Sequence, residues 1–210
     1  MIMGPEAICN ERLTCRICGS ASLVPVINLG RQHIASFFTK TPPVDLMTRS
    51  YPLELVRCAA PDGCRLVQLR HSISPQVLYS HYGYRSGINE RMQQNLKEIA
   101  LAAEAMVTLR KGDTVCDIGC NDGTLLASFQ TAGIDRFGID PAENVVAFAR
   151  KKNLDVLCEF FSKKVYETAR PGIRARIITT IAMFYDLEDP GGFVRDVAAV
   201  LAGDGVWVME

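Results

Sequence analysis

Two acidic residues that follow short apolar stretches carry the clearest chemical signal of the chain. Residues 114–118 are β-branched or apolar around Asp117, a composition typical of a buried strand. Residues 137–139 form a second such stretch, which Asp140 follows. Asp140 lies about twenty residues after Asp117, the sequence separation expected of a ribose-binding acid. Because the carboxyl ends of parallel strands meet at one edge of a sheet, both carboxylates are expected to border one ligand site.

A glycine turn at residues 119–123 lies between these two stretches. Gly119 and Gly123 lack a Cβ, so the backbone can bend sharply and a ligand can approach it closely. We expect Asn121 or Asp122 to cap a helix over residues 124–132. The G-x-G-x-x-G fingerprint of dinucleotide sites is absent, and acidic residues would repel a phosphate. The pattern therefore favours a cationic ligand that bears an amine.

Four cysteines in the first third of the chain have a spacing that suits a metal. Cys15 and Cys18 form a C-x-x-C-G motif, and Cys58 and Cys64 form a second pair with five residues between them. Two thiolate pairs give the four soft ligands of a closed, structural zinc site, which stabilises a segment too small for its own core. The longer second spacing requires a turn at residues 61–63. Unliganded thiols, or a site in which Cys9 or His71 replaces one ligand, are the alternatives.

The loop over residues 81–87 is rich in aromatic and polar groups. After it, the spacing of apolar residues predicts an amphipathic helix at residues 89–109. The loop brings phenol groups, a hydroxyl and the Arg85 guanidinium close together, and Arg85 could bind a phosphate. Packing at a domain junction is the alternative role for this loop. The helix is expected to pass beneath the ligand pocket with a structural role.

The strand, turn and acid resemble the class I S-adenosylmethionine-dependent methyltransferases, whose first motif joins an acidic residue to a glycine turn. The motifs C-x-x-C-G, Leu-Gly, Pro-Leu-x-Leu, Cys-x-Leu-Val-Gln-Leu and Tyr-x-Tyr-x-Ser narrow this resemblance. Together they look like the sugar C-methyltransferases, which carry an N-terminal zinc-binding domain. This resemblance covers essentially the whole chain.

The resemblance implies an α/β fold: a class I methyltransferase, Rossmann-like parallel sheet with a small N-terminal zinc-binding β module. The expected domains are a zinc module at 1–72, a linker and long helix at 73–110, and the cofactor domain at 111–210. Five strands are expected where the class has seven, so the sheet should be incomplete at its C-terminal end. The family's candidate catalytic base is expected beyond Glu210.

The resemblance also implies roles for individual residues. S-adenosylmethionine is expected to contact Asp117, Gly119, Cys120, Asn121, Asp122, Gly123, Asp140, Pro141, Phe160, Met183 and Phe184. Phe160 could instead pack in the core. Substrate is expected at Tyr82, Tyr84 and Ser86, and His81, Tyr82 and Tyr84 are weak catalytic candidates. Structural zinc is expected at Cys15, Cys18, Cys58 and Cys64.

The implied reaction is C-methylation of a nucleotide-linked (dTDP-type) deoxy-keto sugar, as a step of deoxysugar biosynthesis. A base removes a proton beside the ketone, and the enolate carbon then attacks the sulfonium methyl group. Two alternatives stay open at this point. One is a non-catalytic zinc- and nucleoside-binding fragment, and the other is methylation of oxygen or nitrogen on another small molecule.

Composition limits the partners. The 210 residues carry no net charge, and scattered Lys and Arg argue against a nucleic-acid surface. No stretch is long enough to span a bilayer, and the N-terminal residues lack a signal-peptide pattern. A cytoplasmic location and a small-molecule substrate, without nucleic-acid or membrane partners, are therefore expected.

Overall fold

The computed structural model describes residues 8–34 and 50–210. They divide into two compact units. The first unit holds the described residues up to Gly83 together with Glu188–Gly191, and the second holds Tyr84–Leu187 and Gly192–Glu210.

Short antiparallel strands build the first unit. Strand β1 (Cys9–Glu11) pairs with β5 (His71–Ile73). A three-stranded sheet joins β2 (Leu23–His33), β3 (Ser50–Cys58) and β4 (Val67–Leu69), with β3 in the centre. Helix α1 (Pro75–Tyr79) begins with proline at its first position, where the missing N–H is no loss.

The first unit has a small apolar core. Val56 and Cys58 of β3 are fully buried, whereas β2 is exposed along nearly its whole length. Cross-linking by a bound metal is a common way to stabilise a unit of this kind.

The second unit alternates strands and helices. A 3₁₀ helix (Ser86–Ile88) precedes α2 (Glu90–Met106), β6 (Thr114–Ile118) and α3 (Thr124–Ser128). Then follow β7 (Asp135–Ile139), α4 (Glu143–Lys151), β8 (Asp155–Leu157) and α5 (Lys163–Ala169). The last elements are β9 (Ala175–Thr180), a 3₁₀ helix (Phe184–Asp186), α6 (Pro190–Val200) and β10 (Leu201–Met209).

The strands of this unit form one parallel sheet in the order β10-β9-β6-β7-β8. This order confirms the predicted α/β fold with β6 at the centre, where the strand order reverses. In such sheets ligands bind outside the carboxyl ends of the strands at the reversal point. The described part of the sheet has the five expected strands.

Alternation along the strands creates two apolar faces. Val115 of β6 packs with Leu96 of α2 and Leu125 of α3 on one face. Its neighbour Cys116 packs with Tyr166 of α5 and Val197 of α6 on the other. Both faces are covered by helices, which explains why β6 is buried at every position.

Helix α3 is shorter than the sequence predicts: it ends at Ser128 rather than continuing to residue 132. The carboxylate of Glu104, on α2, accepts hydrogen bonds from the backbone amides of Gln130 and Thr131. Arg136 donates to the carbonyl of Phe129. These distant partners satisfy backbone groups that would otherwise favour another helical turn.

Two other boundaries also differ. The residue before α3 is Gly123, in the left-handed conformation, and not Asn121 or Asp122. Helix α2 begins after Asn89, whose side chain accepts from the amide of Met92, and it ends at Met106 rather than residue 109. Within the described ranges, no helix is both long and apolar enough to cross a membrane.

Candidate functional site

The four predicted zinc ligands come together in the first unit. The sulfur atoms of Cys15, Cys18, Cys58 and Cys64 all lie within 4.8 Å of one another. Cys15 Sγ is 3.4 Å from Cys64 Sγ, and Cys18 Sγ is 3.5 Å from Cys58 Sγ. A tetrahedron with Zn–S bonds of about 2.3 Å has edges of about 3.8 Å, so this cluster fits zinc.

Local turns place these sulfurs. Gly19 has a φ of 72°, and its amide donates to the carbonyl of Cys15, which closes the first turn. Residues 61–63 form the expected turn, and the amide of Gly63 donates to the carbonyl of Ala60. Hydrogen bonds from the backbone amides of Cys64 and Ser20 lower the pKa of Cys18 to about 6. The thiolate that zinc requires is therefore favoured at neutral pH.

A cleft of about 330 Å³ opens in the second unit at the carboxyl ends of β6 and β9. Its lining combines the glycine turn, helix α2 and the segments after β9 and β10. The residues are Tyr84, Ser86, Met92, Asn95, Leu96, Asp117, Gly119, Cys120, Asn121, Leu125, Ile181, Ala182, Tyr185 and Glu210. Four of the predicted cofactor contacts line the cleft: Asp117, Gly119, Cys120 and Asn121. Of the predicted substrate contacts, Tyr84 and Ser86 line it as well.

Asp117 lies in the wall of this cleft and is almost wholly buried. Its exposed fraction is 3%, and Thr179 Oγ1 on β9 donates a 2.6 Å hydrogen bond to Asp117 Oδ1. Burial raises the pKa of Asp117 to about 7, and the nearby charge of Asp140 acts in the same direction. A carboxylate in this setting is poised to gain from a positively charged ligand.

Gly119 and Cys120, which follow β6, line the same cleft as Asp117. Gly119 has a φ of 75°, and a Cβ there would lie 3.3 Å from Cγ of Met183. Met183 therefore packs against the turn and against the sheet core, although it is not among the cleft-lining residues. Glycine keeps the turn narrow enough for a ligand to approach its backbone.

Asp140, the second acid expected at the ligand site, is not among the residues that line this cleft, and it supports the turn from the neighbouring strand end. Its Oδ2 accepts a 2.8 Å hydrogen bond from the amide of Asn121, and its Oδ1 accepts another from the amide of Ala142. Burial raises the pKa of Asp140, while these two amides oppose the shift. Pro141 is next to it, and its carbonyl accepts from the thiol of Cys158 at 3.7 Å.

The predicted aromatic contacts Phe160 and Phe184 are not among the residues that line the cleft. Phe184 packs edge-on against Phe193 and Trp207, at 6.0 and 5.8 Å between ring centroids. Phe160 is half-buried, and its neighbour Phe161 packs edge-on against Phe193. Core packing thus accounts for Phe161 and Phe184.

Asn121 and Asp122 make hydrogen bonds that the sequence did not reveal. Both side chains bind the backbone of residues 84–87, and Asn121 also lines the cleft. Gly123, the next residue, has a φ of 73°, and a Cβ there would lie 2.4 Å from Leu154. Asp122 and Gly123 therefore determine the conformation of the turn, although neither is among the residues that line the cleft.

The predicted loop at residues 81–87 divides between the two units. Tyr84 and Ser86 line the cleft in the second unit, whereas His81 and Tyr82 belong to the first. In the first unit the ring of Tyr82 lies 6.3 Å from that of Tyr79. The guanidinium of Arg85, a candidate phosphate ligand, lies 4.0 Å from the centre of the Phe148 ring, and its Nε lies 3.7 Å from Asp122 Oδ2.

Several cleft residues escaped the sequence analysis. Met92, Asn95 and Leu96 show that α2 forms part of the cleft wall in addition to packing on the sheet. The helical spacing of Met92 and Leu96 was the available signal, because residues four apart share a face. Tyr185 and Glu210 had a different signal: each follows a strand, and ligands of such sheets bind at the carboxyl ends of the strands.

Comparison with known proteins supports this division of the chain. Residues 15–79 match a family described as "Putative zinc binding domain", and residues 84–210 match a family described as "Methyltransferase domain". C-methyltransferase NovU of Streptomyces niveus is 29% identical over 93% of this chain and 46% of its own length. The chain thus spans less than half the length of that relative.

Two further similarities each cover about half of the chain. A ubiquinone biosynthesis O-methyltransferase of Bordetella bronchiseptica is 37% identical over 46% of this chain and 41% of its own length. The solved plantazolicin methyltransferase BpumL, in complex with SAH, is 19% identical with a TM-score of 0.45, over 54% of this chain and 44% of its own. Because the family match at residues 84–210 covers more than half of the sequence, this chain belongs to the methyltransferase-domain family.

Proposed function

We propose that the cleft of the second unit binds S-adenosylmethionine and that the chain is the cofactor-binding part of a methyltransferase. The observation that carries the proposal is Asp117, a buried carboxylate that lines the cleft beside a glycine turn at the strand-order reversal. When bound, this cofactor supplies a methyl group already activated on a positively charged sulfur.

Charge supports this ligand. Asp117 and Glu210 both line the cleft, and an ammonium or sulfonium group would offset the cost of ionising the buried acid. Asn95 and Ser86 add neutral polar groups to the same lining. A phosphate would meet two acids there, which is unfavourable.

Individual roles follow from the geometry. We assign the cofactor's amine to Asp117 and the close backbone approach to Gly119 and Cys120. Each oxygen of Asp140 accepts one backbone amide and keeps a second lone pair, so it can also accept from a ribose hydroxyl. We retain Phe160 as a proposed neighbour of the adenine, and Pro141, Met183 and Phe184 as proposed contacts of the cofactor.

For the reaction, we favour C-methylation of a nucleotide-linked (dTDP-type) deoxy-keto sugar. The support is the similarity to a C-methyltransferase along 93% of this chain, zinc unit included. Tyr84 and Ser86 line the cleft and are the proposed substrate contacts, and Tyr82 is retained as a proposed contact from the family resemblance alone. His81, Tyr82 and Tyr84 remain the candidates for proton transfer.

Calorimetric titration of the purified chain with S-adenosylmethionine tests the first part of the proposal. We expect micromolar binding at one site, and a folded protein that shows no heat of binding would refute a cofactor role. The acceptor is tested by incubating the full-length protein with keto-deoxysugar nucleotides and locating the new methyl group by NMR. A new C–CH₃ group supports the assignment.

Methylation of oxygen is the second candidate. It is favoured by the 37% identity to an O-methyltransferase, which exceeds that to NovU but covers only 101 residues. An O–CH₃ product in the same NMR experiment would decide for it. Cofactor binding without any product, across both acceptor classes, would favour a non-catalytic binding fragment.

A further inference from the structure

Residues 84–87 are attached to the glycine turn by the side chain of Asn121. Asn121 Oδ1 accepts a 3.1 Å hydrogen bond from the amide of Ser86, and Nδ2 donates at 3.1 Å to the carbonyl of Tyr84. The backbone amide of Asn121 is itself bound to Asp140. One residue therefore connects the Tyr84–Ser86 segment, the turn and the acid of the next strand.

Asp122 makes the second attachment. Its Oδ2 accepts a 2.9 Å hydrogen bond from the amide of Gly87, and its Oδ1 accepts from the amide and hydroxyl of Thr124. Arg85 and Lys152 lie 3.7 and 3.6 Å from the two oxygens. With 3% of its side chain exposed, this carboxylate is committed to holding the backbone rather than to a ligand.

These contacts determine the width of the cleft on one side. Tyr84 and Ser86 line it, and both are bound through backbone atoms to the turn that forms its floor. Gly87 fits closely, because a Cβ there would lie 2.5 Å from Asp122 Oδ2. The wall is thus fixed by specific hydrogen bonds across some 35 residues of sequence.

We propose that Asn121 and Asp122 are positioning residues that hold Tyr84–Ser86 as a wall of the ligand site, so that affinity for S-adenosylmethionine depends on this attachment. The inference rests on the proposed cofactor role of the cleft. It predicts that freeing the segment weakens binding even though Asp117 and the two glycines of the turn are unchanged.

The test compares two variants of the full chain. Asn121→Gly removes the side chain and tolerates the φ of 52° at this position, so the turn itself can still form. Glu104→Ala is the matched control. It removes a carboxylate that also accepts backbone amides of a loop, at Gln130 and Thr131, but it does not line the cleft.

Two measurements are made on each protein. Amide hydrogen exchange without ligand should show Ser86 exchanging about tenfold faster in Asn121→Gly, with the amides of β6 unchanged. Calorimetry should show the dissociation constant for S-adenosylmethionine rising about tenfold or more in that variant, and within about twofold of the parent in Glu104→Ala.

Three results would overturn the inference. If Asn121→Gly frees Ser86 but binds like the parent, the attachment has no role in binding, while the proposed function stands. If both variants lose affinity equally, the effect is general destabilisation. If the parent protein itself binds no S-adenosylmethionine, the proposed function fails and this inference fails with it.

Discussion

The hydroxyl of Thr179 donates a 2.6 Å hydrogen bond to Asp117 Oδ1, joining β9 to β6 at the cleft. The two residues are paired in the register of these parallel strands. The bond stabilises the charged form of Asp117, yet burial outweighs it and leaves the pKa raised to about 7. Asp117 is thus partly protonated near neutral pH, so the affinity of the cleft for a cation should depend on pH.

Replacing Asp117 with Asn should weaken binding of S-adenosylmethionine by about tenfold or more, about 1.4 kcal/mol, because the carboxylate that faces the cation is lost. The folded state should not be weakened at pH 8, because an amide of equal size removes a buried charge. Calorimetry and thermal unfolding check both parts. Equal affinity in the two proteins would contradict the role of Asp117.

The stability of the ligand-free protein should fall as pH rises from about 4 to 7. In this window the folded state holds a proton on Asp117 that the unfolded chain, with its ordinary pKa of 3.8, has released. The loss is at most about 4 kcal/mol, from the linkage of about 1.4 kcal/mol per pKa unit. Urea unfolding across this range, with Asp117→Asn as the control, measures it.

The same proton should oppose the binding of a cation. We therefore expect affinity for S-adenosylmethionine to rise with pH through about 7 and to level off above it. S-adenosylhomocysteine keeps the amine that we assign to Asp117, so its affinity should rise in parallel, whereas methylthioadenosine, which lacks this amine, should show no such rise. An equal rise for methylthioadenosine would argue against a contact between Asp117 and the amine.

Substituting any of Cys15, Cys18, Cys58 or Cys64 by Ser should remove bound zinc, which we expect at one ion per chain. Because the first unit has a small core, metal loss should unfold it while the sheet of the second unit persists. Elemental analysis and circular dichroism report the two effects. Cys9→Ser is the control that should keep its zinc, as Cys9 lies outside the cluster.

Gly87→Ala should lower the free energy of unfolding by about 1–3 kcal/mol, because the new methyl group would overlap Asp122 Oδ2. Gly203→Ala is a matched control, since a Cβ at Gly203 meets no atom within 4 Å. Chemical denaturation compares the two. If Gly87→Ala left the free energy of unfolding unchanged, residues 84–87 would not be held closely against the turn.

Local sequence pattern was sufficient to predict the central strand, the glycine turn and the cysteine cluster. The apolar stretch ending at Ile118, the glycine turn and the four cysteines all depend on residues close in sequence, and the structure confirms the strand, the turn and the thiol cluster. Burial on both faces made the central strand recognisable, since mainly apolar and β-branched residues suit it.

Tertiary structure decided the rest. Asp122 has the chemistry of a ligand-binding acid, but the amide of Gly87 and the cations Arg85 and Lys152 occupy it. Helix α3 stops at Ser128 because Glu104 takes the next amides. In both cases the deciding hydrogen-bond partner lies more than 20 residues away in sequence, and residue type alone does not indicate which distant partner a polar group will meet.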